Sequence, residues 1–301
     1  MQEISLNFNP NSLIAINVMI ALMMFGVSLE LKFADFKRII VSPKAPFIGL
    51  AVQFLLLPAL TCLVIWLLNI DPMLSLGMLL VASCPGGAFS NIMTWLAKGN
   101  VAVSVSMTAV SSIAATILTP FNFTFYAWLN PNTRSLLNEI SIDPMNLLGL
   151  VALILLVPLT LGMFVGKQYP LLSNSIKKPL KIFALAFMFI LIGLAFSSNF
   201  DLFLQYFSTF FFLVVGHNLL ALSIGYFSSK IFSLPERDLR AITLEVGIQN
   251  SALALVIIFT FFPQASGMLL IAAFWGVWHL ISGLILSAFW SRRTILKETM
   301  I

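Results

Sequence analysis

Apolar residues run along this chain in long blocks, and polar residues gather in short clusters between them. Stretches without a single charge cover 99–133, 144–166, 182–200 and 202–229. Each reaches or approaches the ~20 residues that a helix needs to cross a bilayer. The pattern predicts nine spans, at 12–30, 46–69, 73–95, 101–128, 144–166, 182–200, 204–229, 240–262 and 266–290. Turn signals separate them: Asn69-Ile70-Asp71-Pro72, Lys98-Gly99-Asn100, Asn130-Pro131-Asn132, Asp143-Pro144 and Phe262-Pro263-Gln264.

Composition agrees with an all-α polytopic membrane protein. Of 301 residues, 60% are hydrophobic and 9% charged, against roughly 25% charged in soluble domains. Mean hydropathy is +1.03, and no polar segment is long enough for a separate soluble domain. The net charge of +5 does not call for a nucleic-acid partner, because the distribution of basic residues explains it. With the N-terminus outside, the inside segments hold Lys32, Lys37, Arg38, Lys44, Lys98, Lys167, Lys177, Lys178, Lys181, Lys230, Arg237, Arg240, Arg292, Arg293 and Lys297. Only Arg134 falls outside, so nine spans running N-out to C-in satisfy the positive-inside rule. The start, Met1-Gln2-Glu3-Ile4-Ser5, lacks a basic n-region, and the first apolar block is expected to be a retained helix. Cys62 and Cys84 both lie in apolar runs, which argues against a disulfide framework or a metal cluster.

A faint repeat runs through the chain. Phe25-Gly26-Val27-Ser28-Leu29, near the end of span 1, matches Ile192-Gly193-Leu194-Ala195-Phe196, near the end of span 6. Two spans later each copy carries a polar knot: Cys84-Pro85-Gly86-Gly87-Ala88-Phe89-Ser90-Asn91 in span 3, and Glu245 to Ser251 in span 8. The copies, spans 1–4 and 6–9, have opposite orientation, and span 5 has no counterpart. Inverted repeats with interrupted helices at matching positions mark secondary transporters.

The knots carry the candidate chemistry. Pro85 removes a backbone donor, and Gly86-Gly87 adds flexibility. The freed carbonyls must line a cavity or meet a ligand rather than face lipid, unless the proline merely kinks a helix packed by its neighbours. Span 8 has no proline, and Gly247 is its flexible point; the pairing with span 3 predicts a break there too. Glu245 is the sole charge between Arg240 and Arg292. Unpaired at that depth it costs about 2.5–3.5 kcal/mol on insertion scales. Ser104 and Thr108 share one face of span 4, with Ser111 and Ser112 nearby; the alternative for each is a bond to its own backbone. Gln53 is a lone amide in span 2, either a ligand or an interhelical hydrogen bonder. One carboxylate among neutral oxygens suits a hard monovalent cation, with sodium the natural candidate and a proton on Glu245 its rival. His279 is either a ligand contact or a hydrogen bonder, and His217 is expected to be the latter. The many phenylalanines read as packing and lipid-facing material, the 207–212 cluster included. Catalytic sets, Walker patterns and Rossmann patterns are missing from the sequence, so it does not read as an enzyme or call for a cofactor.

At these residues the chain resembles the bile acid:sodium symporter family, most closely its bacterial members. The match lies in Cys84 to Asn91, Lys98-Gly99-Asn100, Ser104 to Thr119-Pro120, Glu245-Val246-Gly247-Ile248-Gln249-Asn250-Ser251 and Trp278-His279-Leu280-Ile281-Ser282-Gly283. The resemblance implies a panel domain (10–31 and 144–201) and a core domain (45–130 and 204–291), with spans 3 and 8 crossing at their breaks. It implies one sodium site from Ser90, Asn91, Ser104, Thr108 and Glu245. A second would use Gln53, Glu245, Gln249 and the carbonyls of Val246 and Ile248. Substrate would meet Ala88, Asn250 and His279 in the crevice between the domains. Bacterial members have ten spans, and this chain is similar to them from their second helix onward. Ala88 and Leu280 depart from the family pattern, which has polar residues at both positions in some members. The function implied is sodium-coupled symport of an organic anion, bile-acid-like or another small carboxylate, in the inner (plasma) membrane. Proton-coupled or uncoupled carriage is the alternative, followed by a channel or an intramembrane enzyme.

Overall fold

The structure is a computed structural model. It describes residues 39–87, 89–140, 144–197, 200–262 and 264–293, with single positions between 18 and 34. Most of span 1, and Ala88, lie outside the described residues. The described chain is helical. Its helices are α1 Lys44–Leu67, α2 Pro72–Ser83, α3 Phe89–Leu96, α4 Val101–Leu129, α5 Pro131–Ile140 and α6 Pro144–Gln168, followed by α7 Pro170–Ser197, α8 Phe200–Gln205, α9 Phe207–Ile231, α10 Glu236–Gly247, α11 Ser251–Phe261 and α12 Ser266–Ser291. Among the described residues five segments are long and apolar enough to cross a membrane, in α1, α4, α6, α9 and α12, and the shorter α2 and α11 are also apolar. The protein is thus a multi-pass membrane protein.

Local chemistry sets the helix ends. Asp71 caps α2 by accepting from Met73 N at 2.9 Å, with Pro72 in the first turn, where its missing donor costs nothing. Asn100 caps α4 through Ala102 N and Val103 N. The ends of α1, α3 and α9 close in one manner, with Asn69, Lys98 and Ser233 in the left-handed region. In each, the following amide reaches back to a carbonyl five residues earlier, as Gly99 N does to Thr94 O at 2.8 Å.

Two polar stretches that the sequence suggests are loops are helical. Asn130-Pro131 opens α5 instead of making a simple turn. Asn130 Oδ1 accepts from Asn132 N at 2.9 Å, and Pro131 takes the first helical position. The basic segment before span 6 belongs to α7, with only Tyr169 between α6 and α7. Hydropathy marks where a membrane would end, whereas Lys177, Lys178 and Lys181 have good helix propensity and extend the helix past that limit.

Helix α1 contains a π-helical turn, Val52–Leu56. Pro58, just beyond it, cannot donate to the carbonyl of Phe54, and Asn122 Nδ2 on α4 takes that carbonyl at 2.7 Å. The turn holds Gln53, buried, toward the centre of the molecule. At one end Arg240 draws helices together, donating to Ala97 O beyond α3 (2.8 Å) and to Trp290 O on α12 (3.0 Å). A cation at helix C-termini is favourably placed. Close helix contacts depend on small residues: a Cβ on Gly77 of α2 would lie 2.9 Å from Met268 Cα of α12.

Candidate functional site

Helix pairs α2/α3 and α10/α11 are each interrupted, and their interruptions meet. Gly86 and Gln249 face each other in an antiparallel bridge. Gly87 N donates to Ile248 O at 2.7 Å, and Asn250 N donates to Pro85 O at 2.8 Å. Carbonyls that could find no partner in lipid are therefore satisfied by the other break. Thr119 Oγ1 takes Ser83 O at 2.7 Å, and Gln53 Nε2 takes Cys84 O at 2.9 Å.

The glycines at the crossing act through size. None of the described glycines has a positive φ. A Cβ on Gly86 would sit 2.5 Å from Glu245 Oε1 and 3.1 Å from Glu245 O, and one on Gly87 would sit 3.0 Å from Gln249 O. In the second interruption the irregular residues are Ile248 to Asn250. Gly247 is the last residue of α10, and a Cβ there would crowd Leu222 on α9, 2.8 Å from its Cγ. The break thus follows Gly247, and that glycine serves close packing rather than bending.

Glu245 is buried at the crossing, about one turn before the break. Its Oε2 accepts from Ser90 Oγ at 2.5 Å and Ser104 Oγ at 2.9 Å, and its Oε1 accepts from Thr108 Oγ1 at 2.6 Å. Asn91 Oδ1 lies 2.8 Å from Ser104 Oγ and 3.3 Å from Thr108 Oγ1, and Ser104 O lies 3.0 Å from Thr108 Oγ1. A hydroxyl carries one proton. The hydroxyls of Ser90, Ser104 and Thr108 cannot serve all of these contacts at once, so oxygen lone pairs outnumber protons. Among the described residues no Lys, Arg or His pairs with Glu245; the ion pairs there involve Glu236. The cluster has the donor set of a hard, monovalent cation. Among the described residues no three His, Cys, Asp or Glu side chains come together as a transition-metal site would require.

A second group adjoins it. Gln53 Nε2 donates to Gln249 Oε1 at 2.8 Å, and Gln249 Nε2 donates to Val246 O at 2.7 Å. Gln53 Oε1 is buried without a partner. An acceptor left unsatisfied in this way costs free energy unless a ligand meets it.

The residues considered for substrate are placed less uniformly. Asn250 caps α11 by accepting from Leu253 N at 3.1 Å, and its Nδ2 lies 3.9 Å from Met24 Sδ of span 1. His279 is buried on α12 against Trp275, with neither ring nitrogen partnered. His217 is a hydrogen bonder: Trp275 Nε1 donates to its Nδ1 at 3.1 Å, and Thr61 Oγ1 lies 2.8 Å from its Nε2. The Trp275 donor assigns the remaining ring proton to Nε2, which donates to Thr61, whose own hydroxyl donates to Leu57 O. Ser111 and Ser112 bond the carbonyl of Thr108, the backbone alternative. Phe207, Phe211, Phe274 and Trp278 pack together as aromatic filling.

Sequence reasoning missed Thr94, whose Oγ1 lies 3.4 Å from Ser104 Oγ, and the pair Asn218 and Ser282. Thr94 falls four residues after Ser90, so helical periodicity could have found it.

Multi-pass membrane proteins whose discontinuous helices cross at a polar centre form a class, that of secondary transporters. Within it, this chain belongs to the Sodium Bile acid symporter family, whose model matches residues 17–206; the family is one of transporters, not enzymes. The chain is similar to "Uncharacterized sodium-dependent transporter YocS" of Bacillus subtilis, at 29% identity over 94% of this chain and 85% of that protein. It is also similar to "Probable sodium/metabolite cotransporter BASS1, chloroplastic" of Arabidopsis thaliana, at 32% identity over 89% of this chain. Of that plant protein the chain spans 65%. The "P3 protein" of Mus musculus is 29% identical over 78% of this chain and 48% of its own length.

Proposed function

We propose that this protein is a sodium-coupled symporter of an organic anion, working by alternating access in the inner (plasma) membrane. The observation that carries the proposal is the oxygen cluster around buried Glu245, which has more lone pairs than protons and, among the described residues, no protein cation. One sodium ion binds Ser90, Asn91, Ser104, Thr108 and Glu245. A second binds Gln53, Glu245, Gln249 and the carbonyls of Val246 and Ile248, and the unpartnered Gln53 Oε1 supports it. Two of the relatives carry sodium in their names.

An anionic substrate suits the other side of the crossing. Helices α3 and α11 both begin beside the crossing, and helix N-termini favour negative charge. Asn250 and His279 are the substrate contacts in this proposal, together with Ala88, which lies outside the described residues. The panel comprises spans 1, 5 and 6, and the core comprises spans 2–4 and 7–9, in a nine-span, N-out and C-in inverted repeat. Close packing of span 1 on α6 supports the grouping: Ser28 Oγ, which donates to Met24 O at 2.6 Å, lies 3.1 Å from Pro158 O, and a Cβ on Gly162 would lie 2.8 Å from Phe25 O. Sodium orders the two breaks, completing the crevice, and so favours the substrate-competent state.

Replacing sodium with choline at fixed pH abolishes uptake into proteoliposomes under this proposal, and Glu245→Ala does the same in the presence of sodium. Wild-type uptake in choline, or sodium-dependent transport by Glu245→Ala, would contradict it. A thermal-shift screen of organic anions, run with and without sodium, identifies the substrate through stabilisation that appears only with sodium.

A further inference from the structure

Main-chain carbonyls bind an ion only if their peptide planes are held. The second sodium site takes carbonyls from Val246 and Ile248, on either side of Gly247. Gly247 closes α10, and beyond it the helix stops supplying partners. Its carbonyl is instead held by Asn218 of α9, whose Nδ2 donates to it at 2.8 Å. Asn218 Oδ1 in turn accepts from Ser282 Oγ of α12 at 2.6 Å. Ser282 Oγ lies 3.2 Å from the carbonyl of His279, one turn earlier in α12. Asn218 is buried, so both its donor and its acceptor are used where water cannot replace them.

The peptide joining Gly247 to Ile248 is pinned from both ends. Its carbonyl is held by Asn218, and its N–H donates to Leu244 O at 2.9 Å. Its plane sets the start of the Ile248 segment, whose own carbonyl is held from the other break by Gly87 N at 2.7 Å and keeps a second lone pair. Leu222 occupies the space beside Gly247, leaving α10 little freedom to roll on α9.

We propose that Asn218 and Ser282 are positioning residues for the second sodium site. They fix the Gly247–Ile248 peptide so that the flanking carbonyls converge, and they tie that peptide to the turn of α12 that carries His279. The pair is a mechanical link between the ion side and the substrate side of the crossing. The assignment rests on the sodium reading of the site.

The test uses the purified full-length protein, with thermal unfolding followed over a sodium chloride series balanced by choline chloride. The wild type is stabilised by sodium along a cooperative curve. In Asn218→Leu the half-saturating sodium concentration rises about three- to tenfold, the equivalent of one hydrogen bond, and the cooperativity falls. Ser282→Ala, which leaves the Asn218–Gly247 bond in place, moves the curve the same way by less, and carries the test if Asn218→Leu does not fold. Ser282→Thr keeps the hydroxyl and restores the wild-type curve. A merely structural role would lower the melting temperature in choline while leaving the sodium midpoint and slope unchanged, and that result overturns the assignment. A wild-type protein unmoved by sodium overturns the coupling ion itself, and this assignment with it.

Discussion

At the scale of single residues, the crossing depends on what is too large to fit. Gly86 lies where the backbone passes against the Glu245 carboxylate, and a methyl group there would displace one or the other. Gly86→Ala is therefore expected to cost about 1–3 kcal/mol in stability, as overpacking does. It should also weaken sodium-dependent stabilisation, read as a loss of the melting shift between choline and sodium. Pro85 and Glu245 were legible in the sequence because each breaks a strong local rule: a proline within an apolar helix, and a charge at membrane depth. Asn218 breaks no such rule. An asparagine beside a histidine in an apolar run reads as any interhelical bonder, and only the position of the Gly247 carbonyl gives it a task.

At the scale of elements, the protein tolerates irregular backbone by satisfying it from a neighbour. Pro58 leaves the Phe54 carbonyl without its helical donor, and Asn122 supplies one from α4. Asn122→Leu keeps the volume but removes that donor, with an expected cost of about 1–3 kcal/mol, measurable as a lower melting temperature in both sodium and choline. Because the π-helical turn that contains Phe54 also presents Gln53, the variant should also disturb the Gln53–Gln249 pair. Hydropathy located the helices but could not tell where α7 begins or that α5 is a helix, since polar helix and polar loop have the same mean hydropathy. The pairing with span 3 predicts a break in span 8 at Gly247, whereas the irregular residues are Ile248 to Asn250, just beyond it. That position is set by Gly87 N and Pro85 O, both of which lie in a distant part of the chain.

At the scale of the whole molecule, the balance of lysine and arginine makes a prediction about sidedness. Arg134 on α5 and Arg292 after α12 are both exposed and should lie on opposite faces of the membrane. Single cysteines at these two positions, probed in intact cells with a membrane-impermeant maleimide, should label at Arg134→Cys and stay unlabelled at Arg292→Cys until the cells are opened. The native Cys62 and Cys84 are buried, so background labelling should be low. The bridge between Gly86 and Gln249 has a consequence for synthesis as well. Glu245 meets Ser90 across 155 residues, and Gln53 meets Gln249 across 196. When the first break enters the bilayer its partner has not yet been made, so the carbonyl of Pro85 awaits a donor, Asn250 N, that arrives with a much later segment. The nascent protein must shelter this opening, with water, lipid headgroups or the insertion machinery, for most of its translation. Chains arrested before Asn250 should therefore be the ones most readily recognised as unfinished.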